Sequence, residues 1–134
     1  KQMPIEKKPF VYIVDDDEYI RKALEIFLEQ EGFELLSAAS GKEILDDDDS
    51  NPDIVLLDID LPAMNGIEVC KKLRSRFKKN ISIVFMSGRV VHPELEKQMN
   101  EAGADAFISK PFNLQEISDK IRHFLSSRVP QISA

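Results

Sequence analysis

Four groups of polar residues stand directly behind apolar runs. Asp15-Asp16-Asp17 follows Phe10-Val11-Tyr12-Ile13-Val14, Asp58 follows Ile54-Val55-Leu56-Leu57, Ser87 follows Ile81 to Met86, and Lys110 follows Ala106 to Ser109. Uncharged, β-branched runs of this kind are the pattern of strands buried on both faces, so each group marks a strand end. If those strands are neighbours, the groups meet on one rim. Carboxylates crowded together raise one another's pKa unless a cation intervenes. Mg²⁺ removes that conflict, because it takes hard oxygen ligands and tolerates waters and phosphate beside one or two carboxylates. Asp58 ends the most apolar strand, which holds its carboxylate rigid and aimed outward. A carboxylate so placed can attack a phosphoryl group and form an acyl phosphate. Positioning and charge neutralisation then carry the catalysis, tasks for the cation and the Lys110 ammonium, with the Ser87 hydroxyl donating to one phosphoryl oxygen.

Each residue alone has a plainer reading. An aspartate at a strand end usually caps a helix or turn, a lysine before proline is usually solvated, and a serine before glycine is usually part of a turn. The joint occurrence of all four groups, in order on four strands, is what points to a site.

The elements that must position them alternate in period. Helical stripes fall at Asp16 to Glu31, 41 to 47, Ile67 to Phe77, Pro93 to Glu101 and Leu114 to Ser127, and a further short strand at Phe33 to Ala38. Gly32 supplies a left-handed stop, Pro93 opens the fourth helix, and Asn113 with Glu116 gives the last one a cap signature. Five strands alternating with five helices imply an α/β fold with a doubly wound parallel sheet covered on both faces, whose ligands sit beyond the carboxyl ends of the strands. Residues 1–8 and 128–134 carry no apolar period and read as tails or linkers.

With 134 residues, 43% hydrophobic and 31% charged, the chain fits one soluble domain. Its 24 acids against 18 bases give a net charge of −6, which argues against direct nucleic-acid or membrane-surface binding. The longest uncharged run, Asn80 to Gly88, is far short of the ~20 apolar residues that span a bilayer. Cys70 is the lone cysteine, which suits a reducing compartment and reads as core filler. The chain opens on Lys1 and not on Met, consistent with a cut from something longer or a processed form.

Val14-Asp15-Asp16-Asp17, Leu57-Asp58-Ile59-Asp60-Leu61-Pro62 with Asn65-Gly66, Met86-Ser87-Gly88 and Lys110-Pro111-Phe112 together resemble the receiver domain of two-component response regulators. The resemblance runs from about Pro9 to Ser127, so residues 9–127 are assigned to that domain. It implies a flavodoxin-like receiver fold with strand order 2-1-3-4-5. It implies that Asp58 accepts a phosphoryl group from a phosphohistidine of a histidine kinase or histidine phosphotransfer protein. Asp15, Asp16, Asp58 and the backbone carbonyl of Asp60 would hold Mg²⁺, and Lys110 would pair with the phosphoryl oxygens. Ser87 and Phe107 would be the switch pair, repacking the face formed by the fourth helix, fifth strand and fifth helix for an effector or a second copy. Such a domain is cytoplasmic, and a signalling phosphoacceptor rather than an enzyme, although it assists its own phosphorylation and dephosphorylation. The switch aromatic of this family is often tyrosine, and Phe107 offers no hydroxyl.

Two rival readings fit part of this pattern. A haloacid-dehalogenase-like phosphatase would also use Asp58 with Asp60 two residues on, but there the acidic pair follows the lysine, whereas here Asp15-Asp16 precedes everything. A non-phosphorylated receiver-like interaction module would be expected to lack one or more of Asp15, Asp16, Asp58, Ser87 and Lys110, and all are present. The run Asp46 to Asp49 reads as a solvated, self-repelling loop rather than a second cation site. His92 reads as a turn residue, His123 as a helix-surface residue, and Met64, Met86 and Met99 as core or turn filler. Arg89 and Asp60, oppositely charged, are expected to meet across the mouth of the site.

Overall fold

The four apolar runs and the stretch after Gly32 form strands and the amphipathic stretches between them form helices, in strict alternation: β1 (Phe10–Val14), α1 (Glu18–Gln30), β2 (Glu34–Ala38), α2 (Gly41–Asp46), β3 (Ile54–Asp58), α3 (Gly66–Phe77), β4 (Ser82–Ser87), α4 (Pro93–Ala102), β5 (Ala106–Ser109) and α5 (Leu114–Arg128). The structure, a computed structural model, describes residues 8–128, so the expected tails lie almost wholly outside the described residues. All strand pairs are parallel and the order is β2-β1-β3-β4-β5, as the resemblance implied.

Both faces of the sheet are buried, which is why the central strands lack the alternation of a half-exposed sheet. Tyr12, Val14, Val55, Leu57, Ile83 and Phe85 point to a core completed by Val69, Leu73, Leu95 and Met99 from α3 and α4. Val11, Ile13, Ile54, Leu56, Val84 and Met86 point to the other, completed by Leu24 and Leu28 of α1 and Ile117 and Ile121 of α5. Cys70 is fully buried in the first core, where burial pushes its thiol up to about 11, and its Sγ lies 3.4 Å from the Ala102 carbonyl. It is core filler, as expected.

The boundaries differ from the sequence expectation where side chains cap. α1 starts at Glu18 rather than Asp16 because the Asp17 carboxylate accepts from the Tyr19 and Ile20 amides, closing the first turn from outside the helix. Gly32, at φ 94°, stops α1 as predicted. His92 is more than a turn residue: its Nδ1 accepts from the Leu95 amide at 3.2 Å, making it the N-cap of α4.

Two polar clusters hold the ends of the sheet opposite the acidic rim. Arg74 on α3 donates to the carbonyls of Ile81 and Gly103 and pairs with Asp105, whose carboxylate also accepts from the Ile83 amide, so one side chain ties α3 to the starts of β4 and β5. The Asp46–Asp49 run is largely solvated, as expected, but Asp46 and Asp47 have partners and the acids do not simply repel one another. Asp47 accepts from the Asp49 and Ser50 amides, the Ser50 hydroxyl at 2.6 Å and the Tyr12 hydroxyl at 3.2 Å, while Lys42 pairs with Asp46. Ser50 first among these bonds holds the Asp47 carboxyl below its ordinary value. Burial, helped by Asp47, pushes the Tyr12 phenol up to about 12.

Candidate functional site

The strand registers decide which ends meet. Val14 pairs with Leu57, Asp58 with Met86, and Ser87 with Ser109, so the residues that close β1, β3, β4 and β5 reach a common rim at the carboxyl edge of the sheet. There one oxygen from each of Asp15, Asp16 and Asp58 lies within 4.8 Å of the other two. Asp15 is fully buried and Asp58 only 4% exposed, whereas Asp16 faces solvent. The Lys110 Nζ bridges the buried pair, 2.8 Å from Asp15 Oδ2 and 3.5 Å from Asp58 Oδ2.

Each carboxylate oxygen of Asp15 has a partner. Its amide donates to the Ala38 carbonyl, its Oδ1 accepts from the Asp17 amide at 2.9 Å, and its Oδ2 accepts from Lys110. Asp58 is held less completely: Oδ1 accepts from the Asp60 amide at 3.0 Å, and among the described residues Oδ2 has only the longer contact to Lys110. Burial raises its pKa above the ordinary aspartate value, and the charges of Asp15 and Asp16 add to this; the Asp60 amide bond and Lys110 oppose without cancelling it. Burial works against the Lys110 charge too, but the hydrogen bond and charge of Asp15, with the charge of Asp58, hold it above the ordinary lysine value. Three carboxylates facing one ammonium leave a negative excess. Oxygen-only donors, with one ligand open to solvent, suit a hard divalent cation.

The turn after β3 keeps Asp58 in place. The Ile59 amide donates to the Met86 carbonyl and the Gly66 amide to the Ile59 carbonyl, drawing the start of α3 against the strand end, while Asn65 caps that helix through the Glu68 amide. Ser87 is fully buried, and its Oγ accepts from the Arg89 amide at 3.1 Å, which leaves the hydroxyl proton available to a ligand. Arg89 Nη2 contacts Asp60 Oδ1, so the two charged residues meet as expected. Phe107 is not at the cluster: it lies two residues before Ser109 on β5, half-buried against the core beneath α3 and α4. His123 is on the surface of α5, away from the rim.

Two contributors were not read from the sequence. Asp17 serves the site as the cap that starts α1 and as the donor to Asp15. Arg21 donates from Nη1 to the Asp15 carbonyl at 2.7 Å. A long side chain four residues into a helix leans back over the preceding turn, and that spacing was the available signal.

Comparison with known proteins agrees with this geometry. Residues 11–122 match the family described as response regulator receiver domain. The chain is 39% identical to the cyclic di-GMP phosphodiesterase of Thermotoga maritima over 89% of its own length but 32% of that relative's. It is 36% identical to the aerobic respiration control protein ArcA of Escherichia coli, covering 88% of this chain and 49% of the relative. The chain thus spans half or less of the length of these curated relatives. A CheY-like response regulator receiver domain of Methanospirillum hungatei has a TM-score of 0.83 at 30% identity, with 90% of this chain and 96% of that one superposed. No helix among the described residues is long and apolar enough to cross a membrane.

Proposed function

Since the chain belongs to the response regulator receiver domains, we propose that its acidic rim takes a phosphoryl group onto Asp58 from a phosphohistidine of a histidine kinase or histidine phosphotransfer protein. The observation that carries this reading is the arrangement of Asp15, Asp16 and Asp58 within 4.8 Å, with the Lys110 ammonium bridging Asp15 and Asp58. Asp58 Oδ2, the less engaged oxygen, attacks phosphorus; the new P–O bond forms as the P–N bond breaks, and the electron pair leaves with the imidazole nitrogen. Lys110 shifts from Asp15 toward the phosphoryl oxygens, and the Ser87 hydroxyl donates to one of them. Asp15, Asp16, Asp58 and the Asp60 carbonyl would hold Mg²⁺, which when bound neutralises charge on the carboxylates and the transferring group. The domain is on this reading a cytoplasmic phosphoacceptor that promotes its own phosphorylation and dephosphorylation. The phosphodiesterase activity in one relative's name belongs to a protein of which this chain covers about a third. The haloacid-dehalogenase-like alternative is not favoured by the family match.

Incubation with acetyl phosphate, followed by intact-mass measurement, tests the proposal. A phosphoryl-sized mass gain that requires Mg²⁺ is expected, and equal uptake in excess chelator would contradict it. Mg²⁺ should also raise the melting temperature, because it binds the folded cluster only. Asp16→Asn should blunt that rise in a thermal scan; an undiminished rise in both Asp16→Asn and Asp58→Asn would place the ion elsewhere.

Signalling would follow from Ser87 and Phe107 moving together. Phe107 lines an open groove along β5 with Ser109, Pro111, Glu116 and Lys120, so its inward turn would reshape the α4–β5–α5 face for an effector or a second copy. The Arg89–Asp60 pair is exposed, 61% and 40% at the two side chains, and so contributes on the order of 0 to 1 kcal/mol to folding. Its effect is expected in the lifetime of the acyl phosphate: Arg89→Ala should unblock water and shorten that lifetime with the melting temperature nearly unchanged. Timed phosphate loss from the purified phosphorylated proteins checks this, and equal or slower loss from the variant would refute the shielding.

A further inference from the structure

Asp16 is the least supported member of the cluster. It is exposed and has no hydrogen bond among the described residues, yet its carboxylate stays within 4.8 Å of Asp15 and Asp58, whose charges push it outward. Something in the backbone must hold it there. Arg21 lies one turn into α1, its amide bonded to the Asp17 carbonyl, and its half-buried side chain turns back toward the helix start. There Nη1 meets the Asp15 carbonyl oxygen at 2.7 Å. That oxygen belongs to the planar peptide joining Asp15 to Asp16, so anchoring it fixes the plane from which the Asp16 side chain projects. The other Asp15 bonds, to Ala38, Asp17 and Lys110, restrain the residue but not that oxygen.

We propose that Arg21 is a positioning residue for the acidic site: it anchors the Asp15–Asp16 peptide so that the Asp16 carboxylate stays aimed into the cluster, and it sets a permanent positive charge behind the pair. The proposal rests on the reading of that cluster as the Mg²⁺ site. Arginine suits the task because its fork is planar, preorganised and always protonated, whereas lysine offers a single mobile donor group on the same approach.

The test titrates Mg²⁺ calorimetrically into metal-free wild type, Arg21→Ala and Arg21→Lys, and follows acetyl-phosphate-driven phosphorylation over the same range. Loss of a group that orients a metal ligand typically weakens metal binding by about 10- to 100-fold. Arg21→Ala is therefore expected to bind Mg²⁺ about 10-fold more weakly, with the half-saturation of phosphorylation rising in step and the rate at saturating Mg²⁺ within about twofold of wild type. Arg21→Lys, which keeps the charge but not the planar fork, should recover only part of the affinity. In chelator, exchange of the Asp17 amide, which donates to Asp15 Oδ1, should quicken in Arg21→Ala, a readout independent of the metal. If Arg21→Ala does not fold, Arg21→Gln takes its place in the comparison. Unchanged Mg²⁺ affinity in the variant, or a lower saturating rate with unchanged half-saturation, would overturn the proposal while leaving the phosphoacceptor reading intact. Absence of Mg²⁺ binding by the wild type would overturn both.

Discussion

Asp58→Asn is expected to abolish phosphate uptake and, in the absence of metal, to melt at a higher temperature than the wild type. The first effect follows from removing the nucleophilic oxygen. The second follows from charge. Burial and the neighbouring Asp15 and Asp16 raise the pKa of Asp58 in the folded state, so the fold binds that proton more tightly than the unfolded chain does. Stability therefore falls as pH rises from the ordinary aspartate range through the raised value, a penalty carried by the charged form. Asparagine removes it. The variant is therefore expected to melt higher than the wild type at neutral pH. The advantage should vanish as pH falls below the ordinary carboxylate range, where the wild-type group is protonated in both states, and it should shrink in saturating Mg²⁺. Thermal scans at pH 7 and near pH 3, with chelator or Mg²⁺, check both signs; a variant that melts lower than wild type at pH 7 in chelator would contradict the electrostatic reading.

Gly66→Ala should have the largest effect on the fold of any conservative change near the site. A Cβ at Gly66 would collide with the Asp58 carbonyl oxygen and lie 2.7 Å from the Ile59 Cα. Both are backbone atoms at the end of β3 and the turn that follows it, so no flexible side chain can yield. The start of α3 would have to move away from β3, stretching the 2.9 Å bond from the Gly66 amide to the Ile59 carbonyl. Overpacking of a rigid site costs about 1 to 3 kcal/mol, and this case belongs at the upper end, a fall in melting temperature on the order of 10 °C. Gly88→Ala is the control, since a Cβ there meets nothing within 4 Å. Chemical denaturation of the two variants measures the difference, and an unchanged midpoint in Gly66→Ala would show that the turn is looser than its geometry.

Much of this fold was legible because its strands are buried twice. A run such as Ile54 to Leu57 has no solvent face to place a charge on, so it reads as a strand at once, and the first polar residue after it marks the rim. The family's strand order then brought Asp15, Asp58, Ser87 and Lys110 together, and the registers agree. What the sequence left open were choices between partners. Asp17 and Asp16 are the same residue type side by side, yet one caps a helix and the other faces the cluster, and only the turn geometry separates them. Asp47 looked like one of four repelling acids because the Tyr12 hydroxyl that it accepts from lies 35 residues away. Arg21 on α1 and Arg74 on α3 belong to no motif in the sequence. Their targets are backbone carbonyls, which carry no signature in the sequence.

The central claim is that Asp58 itself receives the phosphoryl group. An acyl phosphate is reduced by borohydride to the corresponding alcohol, which turns a phosphorylated aspartate into homoserine. The direct measurement is therefore to phosphorylate the wild type with acetyl phosphate and Mg²⁺, reduce it, digest it and sequence the peptides by mass spectrometry. The account predicts homoserine at position 58 and at no other aspartate. Homoserine at position 15, 16 or 60, or a phosphoryl-sized mass gain that yields none at 58, would contradict it.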